Sequence, residues 1–346
     1  MKIDKLIIIL FTGLFLGACS SSNKDGGEDE LGKGKKIELS FIVPDYTLNV
    51  TNGNTASAKK MTRAETTDPG SAAEKEITDL YVFLFPTTSS QVLIKYYINT
   101  TAFTGGTWDT ADNKVILNQT QAEVGTRKVY VVANCVDLKT TLDAVTSESG
   151  LQAVSRQTTK PWSSDLGYPI LMSGNATHDF ISDYQLDNVP LIRAIAKVEL
   201  NVTLSSGFQV VPTLSDNSLV EYKYRYVGFD QNTYVIKPDT KTPVTVNSSS
   251  NIWPNTSDWT SWGASLNTSP TSDTGAGYTL TDSKVTTLKV ITYINENDAA
   301  GSVIEINLPR VDDGPLPPPE FGPELYRLPL PDKIVRNTWY KYDVAI

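Results

Sequence analysis

Histidine and cysteine are almost missing from this sequence, and basic residues are outnumbered by acidic ones. The 346 residues include one His, at position 178, and two Cys. A histidine-based metal site or a Ser-His-Asp triad therefore has almost no raw material. The 30 Lys and Arg against 39 Asp and Glu give a net charge of −9, which argues against a nucleic-acid partner. The sequence predicts a protein that is not an enzyme and that has no cofactor, no metal site and no nucleic-acid partner.

Long amphipathic helical patterns are also scarce, which makes an all-α fold a poor fit. Short apolar runs alternate with stretches rich in Ser, Thr, Asn, Gly and Pro, a pattern typical of all-β sandwiches, and the length allows about two domains. One helix is predicted, over 140–154. The main predicted strands are 37–43, 77–85, 91–98 (a hairpin partner of 77–85), 127–136, 198–204 and 283–295.

The N-terminus has the pattern of an export signal. Lys2 and Lys5 precede an apolar run, 6–16, that is too short for an ordinary transmembrane helix and fits the apolar region of a signal peptide. The run ends in Leu-Gly-Ala-Cys at Cys19, which looks like a bacterial lipobox; the alternative is a plain secretory signal with a chance Cys. Residues 20–36 are rich in Ser, Gly and charge and predict a solvated tether. Cys135 then stands alone in an apolar strand and is interpreted as a small buried hydrophobe, although count alone allows a Cys19–Cys135 disulfide.

The polar segment after the first predicted strand has few apolar residues and is predicted to be an exposed loop. It contains Arg63 followed by Ala64, a candidate cut site for an Arg-specific protease. The alternative is a chance Arg in a loop.

The last stretch, KIVRNTWYKYDVAI, alternates with a period of two. Tyr340, Tyr342, Val344 and Ile346 fall on one face of an extended strand, and Trp339 falls on the other. Such a strand needs a sheet edge to pair with, in its own sheet or in another molecule. Both possibilities stay open from the pattern alone.

Seven segments, taken together and in order, resemble the fimbrillins, the pilins of Bacteroidales type V pili. They are the lipobox, ITDLYVFLF, VYVVANC, PILMSG, VPLIRAIAKVEL, TYINEN and RNTWYKYDVAI. The resemblance implies two tandem transthyretin-like Greek-key β-sandwiches. It also implies lipidation at Cys19, cleavage between Arg63 and Ala64 by an Arg-specific surface protease, and donation of the C-terminal strand to a neighbouring pilus subunit. The donor residues would be Val335, Trp339, Tyr340, Tyr342, Val344 and Ile346.

The same resemblance gives an expected division of the chain and an expected location. Residues 1–19 would be the lipoprotein signal, and 20–63 a tether and first strand removed on maturation. Residues 64–188 would form the N-terminal sandwich and 189–346 the C-terminal one, with 333–346 as donor strand. The precursor would sit at the outer membrane through its lipid, and the mature chain in an extracellular pilus, joined to identical or related subunits and acting in adhesion. Strand addition of this kind takes affinity from main-chain hydrogen bonds and specificity from alternate side chains.

Three other functions compete with a stalk subunit. An anchor subunit would be expected to lack the cut site, so Arg63 argues against it. A tip subunit would need no onward donor, so the aromatic terminal strand counts against it. A surface glycan-binding lipoprotein could use the tryptophans of the loop NIWPNTSDWTSW, namely Trp253, Trp259 and Trp262, although local packing that holds the long loop is the favoured interpretation.

Overall fold

The computed structural model describes residues 34–53, 67–158, 166–209, 222–239, 241, 243–246, 259–264, 275–308 and 324–346. Over these ranges the chain consists mainly of β-strands, with three short α-helices, so the predicted all-β class is confirmed. Residues 35–346 form one compact unit.

The strands are numbered in chain order. The first thirteen are β1 Lys36–Ile42, β2 Tyr46–Gly53, β3 Thr67–Asp68, β4 Leu80–Pro86, β5 Ile94–Ile98, β6 Ala102–Phe103, β7 Gly106–Asp109, β8 Lys114–Thr120, β9 Thr126–Ala133, β10 Ser155–Gln157, β11 Met172–Asp179, β12 Gln185–Pro190 and β13 Ile192–Arg193. The others are β14 Ile195–Thr203, β15 Lys223–Val227, β16 Phe229–Asp230, β17 Asn232–Tyr234, β18 Thr245–Val246, β19 Thr260–Ser261, β20 Gly263–Ala264, β21 Gly275–Thr281, β22 Lys284–Asn295, β23 Val303–Leu308, β24 Glu324–Pro329 and β25 Thr338–Ala345. The helices are α1 Gln121–Val124, α2 Lys139–Asp143 and α3 Glu148–Gln152.

Two five-stranded sheets pack face to face in the first part of the chain. Their strand orders are β12-β1-β8-β7-β6 and β13-β11-β9-β4-β5. The core between them takes inward side chains from both sheets, among them Leu39, Val82, Val115 and Val131. Gly174 on β11 permits a close approach to β12, because a Cβ there would lie 2.2 Å from the carbonyl oxygen of Pro190. The PILMSG segment thus ends in a glycine that the packing requires.

Strand β4 is buried on both faces, which explains its uninterrupted apolar sequence. Its outer face carries Tyr81, Phe83 and Phe85, whose rings stack in a row at centroid distances of 4.5 and 5.7 Å. Helices α2 and α3 cover this row with Leu142 and Leu151. The predicted hairpin of β4 with β5 is confirmed, whereas the single helix predicted over 140–154 is two short helices.

A seven-stranded and a four-stranded sheet pack face to face in the second part. Their orders are β20-β21-β22-β14-β25-β2-β3 and β19-β15-β23-β24. Val198 of β14, Val290 of β22 and Tyr340 of β25 meet Ile304 and Ile306 of β23 in the second core. The long apolar run that ends at 204 is therefore a strand in its second half, as its alternation indicates.

The change from one core to the other falls within β14. Ile195 packs in the first core, and the next residue, Ala196, packs in the second. The predicted domain limits of 64–188 and 189–346 stay a prediction, and this change of core lies a few residues beyond 189.

The segment after β1 differs from its sequence-based interpretation as a polar loop. Residues 46–53 form strand β2, and Tyr46 is fully buried. The Tyr46, Leu48, Val50 alternation is the local signal for this strand, and a parallel pairing with β25 completes it. The polar loop is therefore shorter than predicted, because seven residues of β2 pair with the distant C-terminal strand.

Candidate assembly interface

Strand β1 fills a slot between two other strands of its sheet. It pairs in parallel with β12 and antiparallel with β8. Its inward side chains, Ile37, Leu39 and Phe41, are 0%, 0% and 3% exposed. Burial of such side chains stabilises by about 1.5–3 kcal/mol each relative to exposure, so the slot is a major part of the first core.

The outward face of β1 is tied to its neighbours by polar contacts. Glu38 forms an ion pair with Lys114 of β8, and Gln185 of β12 donates to its carboxylate at 2.8 Å. Ser40 donates to Asp187 at 3.1 Å. The hydrogen bond from Lys114 holds the pKa of Glu38 below its usual value, with a smaller contribution from Gln185, and the two together outweigh the effect of burial.

Acid is therefore expected to loosen β1. A carboxyl group whose pKa is lowered by folding stabilises the folded state at any pH above the pKa that it has in the unfolded chain, which is near 4.5 for Glu38. This contribution is lost as the pH falls through the lower pKa of the folded state. Urea unfolding measures the free energy of unfolding at about pH 6.5 and at about pH 3.5. The decrease between the two pH values should be smaller in Lys114→Met than in wild type, by less than about 1 kcal/mol because the pair is partly exposed. Glu38→Gln is the control without a titrating group. An equal acid loss in Lys114→Met would show that Lys114 does not cause the shift.

The C-terminal strand β25 is an internal strand of the seven-stranded sheet. It runs parallel to β14 on one side and parallel to β2 on the other. Tyr340 and Tyr342 are 3% and 6% exposed in the second core, and Val344 and Ile346 pack against the same core half-buried. The face predicted from alternation is therefore the inward face. On the opposite face of β25, the Trp339 ring centroid lies 4.0 Å from the Lys197 ammonium.

The ends of the predicted donor segment are also placed within this subunit. The Val335 amide donates to the Tyr340 hydroxyl at 3.0 Å, and the side chain of Val335 is 45% exposed. The Ile346 amide donates to the Thr203 carbonyl at 2.9 Å. A donor strand would be expected to contribute little to its own subunit, whereas in this structure the segment is part of the subunit's core. Its donation to a neighbour stays a prediction.

A cluster of buried polar side chains lies where the N-terminal segment passes from the first core to the second. We call it the buried joint and define it as Glu74, Arg193, Lys197, Tyr293 and Asn337. Lys197 pairs with Glu74 at 3.0 Å with side-chain exposures of 3% and 0%, and the Tyr293 hydroxyl donates to the same carboxylate at 2.8 Å. An ion pair this deeply buried is costly to break, because removing one partner leaves an unpaired charge in the interior.

The N-terminal segment is bound directly to the buried joint. The Tyr46 hydroxyl donates to Glu74 at 3.0 Å, and the Arg193 guanidinium lies 4.2 Å from the Tyr46 ring. Arg193 donates to the Pro44 carbonyl at 2.7 Å, and the Asn337 side-chain amide donates to the Asp45 carbonyl at 2.8 Å. Asn337 directly precedes β25, so the joint connects the N-terminal segment to the start of the C-terminal strand.

The joint residues do not form a recognisable motif in the sequence. The available signal was the pair of basic residues, Arg193 and Lys197, inside the otherwise apolar run VPLIRAIAKVEL. A basic side chain within a buried strand needs a buried partner, which the sequence could not supply. Glu74 carried no comparable signal, because it lies in a polar stretch.

Three of the predicted site residues, Cys19, Arg63 and Ala64, lie outside the described residues. The positions of Arg63 and Ala64 in the chain fall between β2 and β3, so both β1 and β2 precede the predicted cut.

The tryptophan loop is described in part. Trp253 lies outside the described residues. Trp262 is 6% exposed, donates to the Lys289 carbonyl at 2.9 Å and lies 4.6 Å from the Tyr224 ring. The Arg225 guanidinium lies 4.7 Å from the Trp259 ring. Trp262 therefore packs into the second core, which favours the packing interpretation over a sugar-stacking surface.

Within the part of the chain that the structure describes, no group of three or more His, Cys, Asp or Glu side chains could hold a metal ion. Over the same ranges, every helix is too short or too polar to cross a bilayer. The buried Cys135 forms no disulfide within the described residues, and burial, followed by the nearby Asp79 carboxylate, raises the pKa of its thiol.

Comparisons with known proteins agree with the strand architecture. The family described as "Minor fimbrium tip subunit MfA4, C-terminal" matches residues 194–345, and the family described as "Major fimbrial subunit protein (FimA)" matches residues 45–181. The minor fimbrium tip subunit MfA4 of Porphyromonas gingivalis is 53% identical over 348 residues, with 100% of both chains covered.

Solved structures of low sequence identity are similar as well. The tip fimbrial protein Mfa3 from Porphyromonas gingivalis, with a C-terminal truncation, is 11% identical with a TM-score of 0.46 and covers 78% of this chain and 90% of its own. A fimbrial assembly protein from Parabacteroides distasonis is 13% identical with a TM-score of 0.39 and covers 89% and 90%.

The sheets, the family matches and the full-length relative define a structural, non-enzymatic protein of the fimbrial-subunit class. The chain belongs to the fimbrillin family of Bacteroidales, and it is a subunit of a cell-surface pilus.

Proposed function

We propose that this chain is a tip-type pilus subunit that is exported as a lipoprotein, cut after Arg63 and joined to its neighbour by strand exchange. The observation that carries the proposal is the slot of β1, a strand held on both sides by the first sandwich through three buried side chains. A strand from another subunit can take such a slot, because main-chain pairing tolerates different sequences and the alternate side chains fill the pockets. The role would be in adhesion at the cell surface.

Cleavage after Arg63 would change both sandwiches. Loss of β1 would uncover the edges of β8 and β12, and loss of β2 would leave β25 paired with β14 alone. Uncovered edges are prone to pair with another chain, so their exposure only after export would keep subunits apart inside the cell.

Two observations favour a tip-type subunit over a stalk subunit. The full-length relative with 53% identity is a minor fimbrium tip subunit. In addition, β25 lies inside its own sheet with Tyr340 and Tyr342 buried, so this subunit would accept a strand more readily than it would donate one. These findings weigh against the sequence-based preference for a stalk.

The stalk function stays a second candidate for one reason. Once β2 has left, β25 becomes an outer strand of its sheet, and an outer strand is released at lower cost than an internal one. An anchor subunit fits less well, since Arg63 supplies the cut that an anchor would be expected to lack.

Before cleavage, a lipid on Cys19 would hold the precursor in the outer membrane through the tether 20–36. A single acyl chain binds membranes only marginally, whereas the several chains of a bacterial lipoprotein hold it firmly. The partners would then be the membrane, an Arg-specific surface protease and related pilus subunits, in that order.

Cleavage at Arg63 gives the direct test. Limited digestion of the purified precursor by an Arg-specific protease should leave a stable fragment that begins at Ala64, identified by N-terminal sequencing. Arg127 should resist, because its side chain is 3% exposed and its guanidinium donates to main-chain carbonyls. Arg63→Ala should remain uncut in the host and be absent from sheared pili. The control is Arg156→Lys, which removes a different arginine and leaves the Arg63 cleavage site intact. Normal incorporation of Arg63→Ala into pili would contradict the proposed maturation.

A further inference from the structure

Arg193 of the buried joint is fully buried and incompletely satisfied. Its Nε donates to the main-chain carbonyl of Glu74 at 2.8 Å, and its Nη1 donates to the Pro44 carbonyl and the Asn337 side-chain oxygen, each at 2.7 Å. Among the residues that the structure describes, its Nη2 has no hydrogen-bond acceptor. A buried donor without an acceptor is destabilising, so this nitrogen marks a place where an acceptor is missing.

The charge of Arg193 is also uncompensated. Lys197 and Glu74 neutralise each other at 3.0 Å. None of the described carboxylates forms an ion pair with Arg193, whose acceptors are neutral oxygens. The joint therefore carries one excess positive charge, and a guanidinium fork is the group best matched to a carboxylate that accepts two parallel hydrogen bonds.

The acceptor that now occupies this fork belongs to the segment that cleavage would remove. Pro44 follows β1 and supplies one carbonyl oxygen to Nη1, and the Tyr46 ring lies 4.2 Å from the guanidinium. A carbonyl has one oxygen and fills one arm of the fork, whereas a carboxylate has two. Loss of residues 1–63 would expose the Arg193 guanidinium and would empty the slot that β1 fills.

We propose that Arg193 binds a carboxylate carried by the strand that takes the place of β1, and so fixes the register of that strand. This rests on the proposed strand exchange. The strand must run in the direction of β1, because the end of β1 that reaches Arg193 is its C-terminal end: the Leu191 amide donates to the Ile42 carbonyl at 2.8 Å just before Arg193. The shared chemistry is a carboxylate, whether at the end of the incoming peptide or on an acidic side chain near it.

The segment 335–346 shows how the register would work. Its apolar face, at 340, 342, 344 and 346, matches the inward positions 37, 39, 41 and 43 of the N-terminal segment. A peptide that ends at Ile346 would then place its terminal carboxylate at the position of the Val43 carbonyl. That position is within one residue, about 3.5 Å, of the Pro44 carbonyl that Arg193 now holds.

The test uses full-chain protein cut after Arg63 and three fluorescent peptides of sequence 335–346. One has a free C-terminal acid, one has a C-terminal amide, and one has a free acid with Asp343→Asn. Fluorescence polarisation follows each peptide as it replaces the N-terminal fragment. We expect the amide to bind at least about tenfold more weakly than the acid, since charge-assisted hydrogen bonds are roughly twice as strong as neutral ones. The Asp343→Asn peptide should bind like the acid, because in this register Asp343 takes the position of Ser40, four residues or about 13 Å from the Pro44 position. A loss with Asp343→Asn alone would contradict the proposed register.

Two variants refine the test. In Arg193→Met the difference between acid and amide should disappear, whereas Arg127→Met, a second buried arginine that donates to main-chain carbonyls, should keep it. The wild-type comparison needs no variant and stands even if Arg193→Met fails to fold. Equal binding of all three peptides would overturn the carboxylate site and leave strand exchange intact. Absence of binding by every peptide would overturn both.

Discussion

Protein that has lost residues 1–63 is expected to unfold far more easily than the precursor. The lost β1 buries Ile37, Leu39 and Phe41, which together stabilise by about 5–9 kcal/mol before ordering costs. That sum is comparable with the whole stability of an ordinary domain, about 5–15 kcal/mol. Urea or thermal unfolding of the precursor and of the separated Ala64–Ile346 fragment should show the difference.

The same experiment includes a matched rescue. A synthetic peptide of residues 35–44 should restore most of the lost stability when added in excess, because it refills the slot between β8 and β12. The same peptide with Leu39→Asp should not, since that position is fully buried and an unpaired carboxylate there is costly. Equal unfolding midpoints for precursor and fragment would contradict the slot as the basis of assembly.

Tyr342→Ala is expected to destabilise the uncut precursor by about 3–5 kcal/mol, as large-to-small replacements of buried aromatic residues do. Tyr342 is 6% exposed in the second core and lies opposite Leu200 of β14. Asp343→Asn, at the exposed neighbouring position, keeps the hydrogen-bonding contact with Asn201 in reach and should change stability by less than about 0.5 kcal/mol. Equilibrium denaturation of both variants measures the contrast.

The outcome also bears on the role of the C-terminal strand. A destabilised Tyr342→Ala precursor fits an accepting, tip-type subunit whose last strand closes its own sheet. An unchanged precursor, together with loss of higher multimers in sheared pili, would contradict that arrangement and favour a stalk subunit that donates 333–346. Measuring thermal unfolding of the precursor and the multimers in sheared pili on the same variants distinguishes a tip-type subunit from a stalk subunit.

Several elements could be predicted from local sequence because their signals are local. The apolar run of β4 and the return of β5 gave the hairpin, and the alternation of 340–346 gave the inward face of β25. The single helix predicted over 140–154 is instead two helices, α2 and α3. The pattern of apolar residues indicates which face is buried, but it does not show where the chain turns.

The buried joint could not be predicted, because its contacts join residues that are remote in the chain. The bond from Asn337 to the Asp45 carbonyl spans 292 positions, and that from Tyr293 to Glu74 spans 219. Whether a basic residue such as Lys197 is solvated or paired in the interior depends on what the fold brings to it, and no local pattern contains that information.

By itself the sequence determined the all-β class, the inward face of the C-terminal strand and the resemblance to pilus subunits, because side-chain alternation and motif order are properties of the linear chain. Only the tertiary structure decided that the N-terminal segment forms two strands, one in each core, and that β25 lies between β14 and β2. The physical reason is that parallel strands are joined by main-chain hydrogen bonds between segments that are distant in the chain. Almost every residue carries the same main-chain groups, so the sequence pattern does not indicate which strands pair.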